Sequence, residues 1–187
     1  MFGGSLIFFI CSLTCLSAEK VGLFTYEVID GGAAVEITDY PDTETGHLAI
    51  PAEIEGKPVT RIGRYAFEQC SGLTGIDLPA GVTAIGDGAF DGCSGLTGID
   101  LPAAVTAIGA FAFETCSGLT AITIPQGITR IDNSTFYRCS NLASVGIPDS
   151  VTSIGSSAFG ECSNLASITL PGQLAEIADS ALSLIHI

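Results

Sequence analysis

Five cysteines, Cys70, Cys93, Cys116, Cys139 and Cys162, recur at intervals of 23 residues, and a cysteine series is the first place to look for metal or redox chemistry. Zinc ligands come in pairs a few residues apart, usually with histidine among them. Here both histidines, His47 and His186, fall outside the series, so the spacing argues against a metal. Disulfides between successive members are also disfavoured. Chains stacked at strand spacing, ~4.8 Å, hold their Cα–Cβ vectors parallel, and a disulfide needs a near-perpendicular torsion. Small buried side chains are the reading that remains, and no cofactor is expected.

Two acidic series follow the same step. Glu68, Asp91 and Glu114 share one position of the interval, and Asp77 and Asp100 share another. Like charges ~5 Å apart in water repel by somewhat under ~1 kcal/mol, which a surface tolerates and which attracts a cation or a basic partner. No Asp-rich loop of calcium-binding spacing accompanies them. Aromatic and arginine side chains supply the other candidates. Tyr65 and Phe111 occupy a position otherwise filled by Gly88, Ser134 and Ser157, and Tyr137 and Arg138 flank Phe136 and Cys139. Such residues are common anchors of protein interfaces. The candidate binding surface is therefore Tyr65, Glu68, Asp77, Asp91, Asp100, Phe111, Glu114, Tyr137 and Arg138. For catalysis the chain offers no paired acid and base, no nucleophile elbow and no phosphate loop, so an enzyme is not expected.

What must position these residues is a tandem repeat. Phe67, Phe90, Phe113, Phe136 and Phe159 keep the interval of 23, a period that signals a solenoid in which each turn is one supersecondary unit. Full turns open at Val59, Val82, Val105, Ile128 and Val151, and a partial sixth at Leu174. In the second, Val82-Thr83-Ala84-Ile85-Gly86 alternates apolar and polar as a half-buried strand does. A brief helical or 3-10 turn is expected next, with Phe90 and Cys93 facing inward. Leu96, Ile99 and Leu101 then mark a second extended segment closed by Pro102. Two columns, Gly72/Gly95/Gly118/Asn141/Asn164 and Gly63/Gly86/Gly109/Asp132/Gly155, read as left-handed turn positions, because glycine, asparagine and aspartate tolerate positive φ. The hydroxyls of Thr60, Thr83, Thr106, Thr129 and Thr152 are expected to bond neighbouring coils.

The chain of 187 residues is 47% hydrophobic and 14% charged, with a formal net charge of -14. Nothing in that balance neutralises phosphates, so nucleic acid is excluded as a partner. Residues 1–18 read as a signal peptide. The apolar run from Ser5 to Leu16 is too short to span a ~30 Å hydrocarbon layer, and Ser17-Ala18 offers small residues at a cleavage point. No Lys or Arg precedes the run. A lipidated Cys15 is the rival, from which Thr14 departs. The mature chain is then secreted or held at the cell surface, with no transmembrane span. Residues 19–58 look like an N-terminal cap, with strand-like runs around Gly31-Gly32 that suggest a hairpin, and 59–182 make the solenoid. Residues 183–187 are atypical; they suggest truncation of a longer chain, or self-association through an open C-terminal coil.

The consensus Leu-x-x-Ile-x-Leu-Pro-x-x-Val-Thr-x-Ile-Gly-x-x-Ala-Phe-x-x-Cys-Ser-x resembles the BspA-like leucine-rich repeat family of bacterial surface antigens. The likeness covers residues 48–182 and rests on the Leu73/Leu96/Leu119/Leu142/Leu165 column and on Ala66-Phe67, Ala89-Phe90, Ala112-Phe113 and Ala158-Phe159, with Thr135-Phe136 departing mildly. The resemblance implies a right-handed leucine-rich solenoid with short parallel strands on its concave side, exported, and in some members attached to host or microbial proteins. The function expected is non-enzymatic recognition of a protein or glycan. A structural spacer or stalk within a longer surface protein is the alternative.

Overall fold

The computed structural model describes residues 19–183. The expected signal peptide and residues 184–187 of the atypical end lie outside the described residues. The fold is a parallel β-solenoid of about six turns with almost no helix.

Three strands lead in: β1 (Glu19–Val21), β2 (Phe24–Ile29) and β3 (Ala34–Asp39). β2 and β3 pair antiparallel across a single 3-10 turn at Asp30–Gly32. β4 (Gly46–Ala49), β5 (Glu53–Ile54) and β6 (Lys57–Ile62) come next. Five more residues separate Pro51 from Val59 than separate Pro79 from Val82. They form a tight hairpin of β5 against β6, turned by Glu55 and Gly56 at φ 52° and 73°, the positive pair a two-residue turn of right-handed strands requires.

From there the coils opening at Val59, Val82, Val105 and Ile128 contribute two short strands each, and the last two one each. The first column holds β6, β8 (Ala84–Ile85), β10 (Ala107–Ile108), β12 (Arg130–Ile131), β14 (Ser153–Ile154) and β15 (Glu176–Ile177). The second holds β4, β7 (Leu73–Asp77), β9 (Ile99–Asp100), β11 (Ala121–Thr123) and β13 (Ser144–Gly146). Successive coils pair in parallel, Ile62 opposite Ile85 and Ile76 opposite Ile99, except that no ladder joins β10 to β12 or β9 to β11. Because strand side chains alternate, the isoleucines turn inward while Asp77, Asp100 and their counterparts turn out.

The core is a set of columns running along the solenoid. The five column phenylalanines are fully buried, with ring centroids 5.3–5.5 Å apart and interplanar angles of 5–16°. Tyr40 and Phe24 carry the stack into the N-terminal strands at 5.3 and 5.2 Å. All five column cysteines are free thiols. The thiols of Cys93, Cys116, Cys139 and Cys162 each donate to a phenylalanine carbonyl of the preceding coil at 3.1 Å. Burial pushes every one of these thiols up, to about 11 at Cys70 and about 12 at Cys162, which keeps them protonated and unreactive. The threonine column bonds as expected at three of its five positions, Thr83, Thr106 and Thr152 each donating to the threonine carbonyl one coil back at 3.2–3.4 Å, whereas the Thr60 hydroxyl is buried without a partner.

Two local expectations are corrected. The segment opposite the strands is a chain of β-turns, not a helical turn. In the first coil Glu68, Cys70 and Leu73 donate to the carbonyls three residues back, while Tyr65, Phe67 and Gln69 donate to Asp87, Ala89 and Asp91 of the next coil. An α-helix would return every such N–H to its own turn. Here alternate ones are spent on stacking.

The left-handed positions also lie elsewhere. Gly72, Gly95, Gly118, Asn141 and Asn164 have no positive φ, and neither does the Gly63 column. Positive φ falls instead on Tyr65/Gly88/Phe111/Ser134/Ser157/Ser180, at 53–61°, and on Gln69/Gly92/Thr115/Arg138/Glu161, at 56–74°. Close approach explains the glycines of the Gly63 column, though not Asp132: a Cβ on Gly86 would lie 2.7 Å from the Arg64 amide nitrogen, and one on Gly63 2.7 Å from the Ile37 carbonyl.

Candidate functional site

The turn side carries seven of the nine candidate residues. Tyr65 and Phe111 are 37% and 39% exposed, and both hold left-handed backbone, φ 55° and 61°. For a bulky side chain that conformation costs roughly 1–2 kcal/mol, so these aromatics stand on strained positions. The Tyr65 ring lies over Gly88 of the next coil, where an added Cβ would come within 2.1 Å of the ring, and the Arg64 guanidinium sits 5.1 Å from the ring centroid.

Glu68, Asp91 and Glu114 lie in line on successive coils of this side. Burial, and then the charge of Glu68, push the Asp91 carboxyl above its ordinary value. Burial, and then Asp91, do the same to Glu114, against the pull of Arg138. Asp91 and Glu114 thus each lie within electrostatic reach of the carboxylate one coil back. At the far end of the series Tyr137 and Arg138 are engaged rather than free: the Tyr137 hydroxyl donates to Glu161 Oε1 at 2.6 Å, and Arg138 Nε donates to Glu161 Oε2 at 2.9 Å. Arg138 also sits 5.0 Å from the centroid of the Tyr137 ring. The two hydrogen bonds hold the Glu161 carboxyl below the usual range. Glu161 went unnoticed in the sequence, although it stands one interval after Arg138 and column neighbours are the pairs a solenoid brings together.

Asp77 and Asp100 lie apart from that group, on the strand side. Both are exposed, on the paired strands β7 and β9. Asp77 is bonded by His47 Nε2 at 2.9 Å. The imidazole rests on Gly75, where an added Cβ would fall 2.5 Å from Nδ1. One coil further, no side chain covers Gly98, and among the described residues Asp100 has no ion-pair partner. Beyond β9 the strand column has a seam. No ladder joins β9 to β11, although Thr120 still donates to the Thr97 carbonyl at 3.2 Å. Two cavities of about 360 and 300 Å³ open along it and share Ile99, Asp100 and Thr123. His47 closes one end of the larger.

The nine candidates therefore form two surfaces, a turn-side array and a strand-side trough. Among the described residues, no three His, Cys, Asp or Glu side chains are grouped to hold a metal ion, and no helix is long and apolar enough to cross a membrane. The chemistry on offer is that of complementary contact: aromatic faces, carboxylates and hydroxyls spread over several coils.

Comparison with known proteins follows the same lines. A model of the BspA type leucine-rich repeat region, in six copies, matches residues 60–185. A leucine-rich repeat protein of T. pallidum is 32% identical, with a TM-score of 0.76 over 87% of this chain and 82% of its own. A leucine-rich cell surface protein of Faecalibacterium prausnitzii is 32% identical, TM-score 0.81, over 89% of this chain and 46% of its own. A leucine-rich repeat protein of Bacteroides ovatus is 28% identical, TM-score 0.66, over 89% and 51%. The chain thus spans about half the length of the latter two. A search of curated proteins finds no match. With the repeat lattice, the β-solenoid and these matches in agreement, the chain belongs to the BspA-type leucine-rich repeat family.

Proposed function

We propose that this chain is a non-enzymatic recognition module, exported or displayed at the cell surface, that attaches to a protein outside the cell through its turn side. The observation that carries the reading is the placement of Tyr65 and Phe111. A spacer needs only its inward columns, and serine fills this outward column in three later coils. Two bulky aromatics held exposed on left-handed backbone are a departure from what stacking requires, and backbone strain of that kind concentrates at functional sites. Aromatic anchors flanked by charge are what protein partners use. The description of the F. prausnitzii relative as a cell surface protein supports the location.

The test replaces Phe111 by Ser, the residue its own column uses at 134 and 157. Retention of the purified chain is measured on immobilised extracellular proteins and on a glycan array. Protein retention that falls at least about tenfold in Phe111→Ser, with unfolding free energy unchanged within about 0.5 kcal/mol, supports the reading. Retention on glycans alone would replace the partner class, and retention on neither would favour the spacer.

A further inference from the structure

We propose that Gly98 and Asp100, at the lip of the seam between β9 and β11, form a seat for an arginine side chain of a protein partner. The repeat supplies its own template. His47 lays a flat nitrogen-bearing ring on Gly75 and brings its Nε2 within 2.9 Å of the Asp77 carboxylate. One interval later the same two residue types recur as Gly98 and Asp100, with nothing within 4 Å of the position a Gly98 Cβ would take. A guanidinium is the flat, donor-rich cation that reproduces the imidazole's contacts in that place.

The walls fit the same chemistry. Thr97 and Thr120 line the larger cavity, and their hydroxyl protons are already committed to the Thr74 and Thr97 carbonyls at 3.1 and 3.2 Å. What those oxygens present to a ligand is lone pairs. A carboxylate and acceptor hydroxyls favour a donor with five N–H groups over an anionic one, and the net charge of -14 draws a basic partner in. The proposal rests on the recognition reading above but uses the opposite side of the coil, so the two fail separately.

The experiment titrates the folded, isotope-labelled chain with the peptides acetyl-Gly-Arg-Gly-amide and acetyl-Gly-Gln-Gly-amide, followed by amide chemical shifts. The arginine peptide is expected to give saturable shifts centred on residues 97–100 and 120–123, and the glutamine peptide none. Asp100→Asn removes the charge, and Gly98→Val fills the floor at unchanged charge. Each should weaken binding by about fivefold, the upper end for an exposed charge pair, while Glu68→Gln, an equal charge change on the turn side, stays within about twofold. His47→Ala should uncover the Gly75–Asp77 seat and raise the number of bound peptides from one to two. Shifts that spread over both sides, a Glu68→Gln effect equal to that of Asp100→Asn, or an indifferent Gly98→Val would each overturn the proposal. Loss of arginine binding with Phe111-dependent retention intact would sink this seat and leave the recognition role standing.

Discussion

Replacing Phe113 by alanine should do more than remove one core ring; it should divide the solenoid. Phe113 is fully buried between two stacked neighbours, Phe90 at 5.3 Å and Phe136 at 5.5 Å. Phe159 is equally buried, but its one ring neighbour among the described residues is Phe136, at 5.3 Å. Cutting phenylalanine to alanine in a close-packed core costs about 3–5 kcal/mol, and each aromatic contact contributes a further ~0.5–1.5 kcal/mol beyond area. Phe113→Ala should thus exceed Phe159→Ala by about 1 kcal/mol, from a total that for a domain is only about 5–15 kcal/mol. Coil-to-coil interfaces carry the stability of a repeat array, so a break in the middle leaves two partial stacks that melt separately. The assay is urea unfolding followed by circular dichroism. Phe113→Ala should show a lower midpoint with a reduced or split m-value, and Phe159→Ala a smaller midpoint shift at nearly native m. Equal costs at the two positions, or losses below about 2 kcal/mol at both, would refute the claim that a continuous ring stack organises the core.

Other consequences are equally direct. The five column thiols should resist a disulfide-exchange reagent in the native chain and react fully in denaturant; Cys70 should lead, because its Sγ has only long contacts, 3.8 Å, to the Tyr40 and Pro41 carbonyls. Prompt native reaction at Cys116 would contradict its burial. Glu36, Asp91 and Glu114 are held above their ordinary values of 4.5, 3.8 and 4.5 chiefly by burial, so the unfolded chain gives up these protons first as pH rises. Their stabilising contribution is present below those values and is lost as pH climbs through the folded ones. Glu161 acts in the reverse sense from an exposed position. Melting should therefore occur at higher temperature near about pH 5 than near about pH 7.5, with the gap narrowed in Glu36→Gln; a lower melting temperature on the acidic side would contradict this account. Gly88→Ala adds a left-handed penalty of about 1–2 kcal/mol and displaces the Tyr65 ring, visible as a change in tyrosine fluorescence that Gly81→Ala, on an exposed turn, should not produce.

The period of 23 residues by itself determined the solenoid, because only a stack of like coils lets Phe67 to Phe159, Cys70 to Cys162 and the leucine column each meet its own kind. It likewise placed the inward and outward columns, since alternation along a strand leaves Ile76 and Asp77 one choice of side each. The threonine ladder was legible for the same reason: identical residues in register can bond only to one another's coils. Conformation within the coil was not legible. Glycine marks both positive φ and close approach, and residue type alone cannot separate them; the Gly63 column proved to be the second case, while left-handed backbone fell on Tyr65, Phe111 and Arg138, types that rarely adopt it. The helical reading of the turn failed because hydrogen bonds to the next coil, invisible to any local window, claim alternate N–H groups. The sites followed the same division. Spacing aligned Glu68, Asp91 and Glu114, but only tertiary structure seated His47 on Gly75 beside Asp77, tied Tyr137 and Arg138 to Glu161, and left Gly98 and Asp100 uncovered at a seam where two coils part.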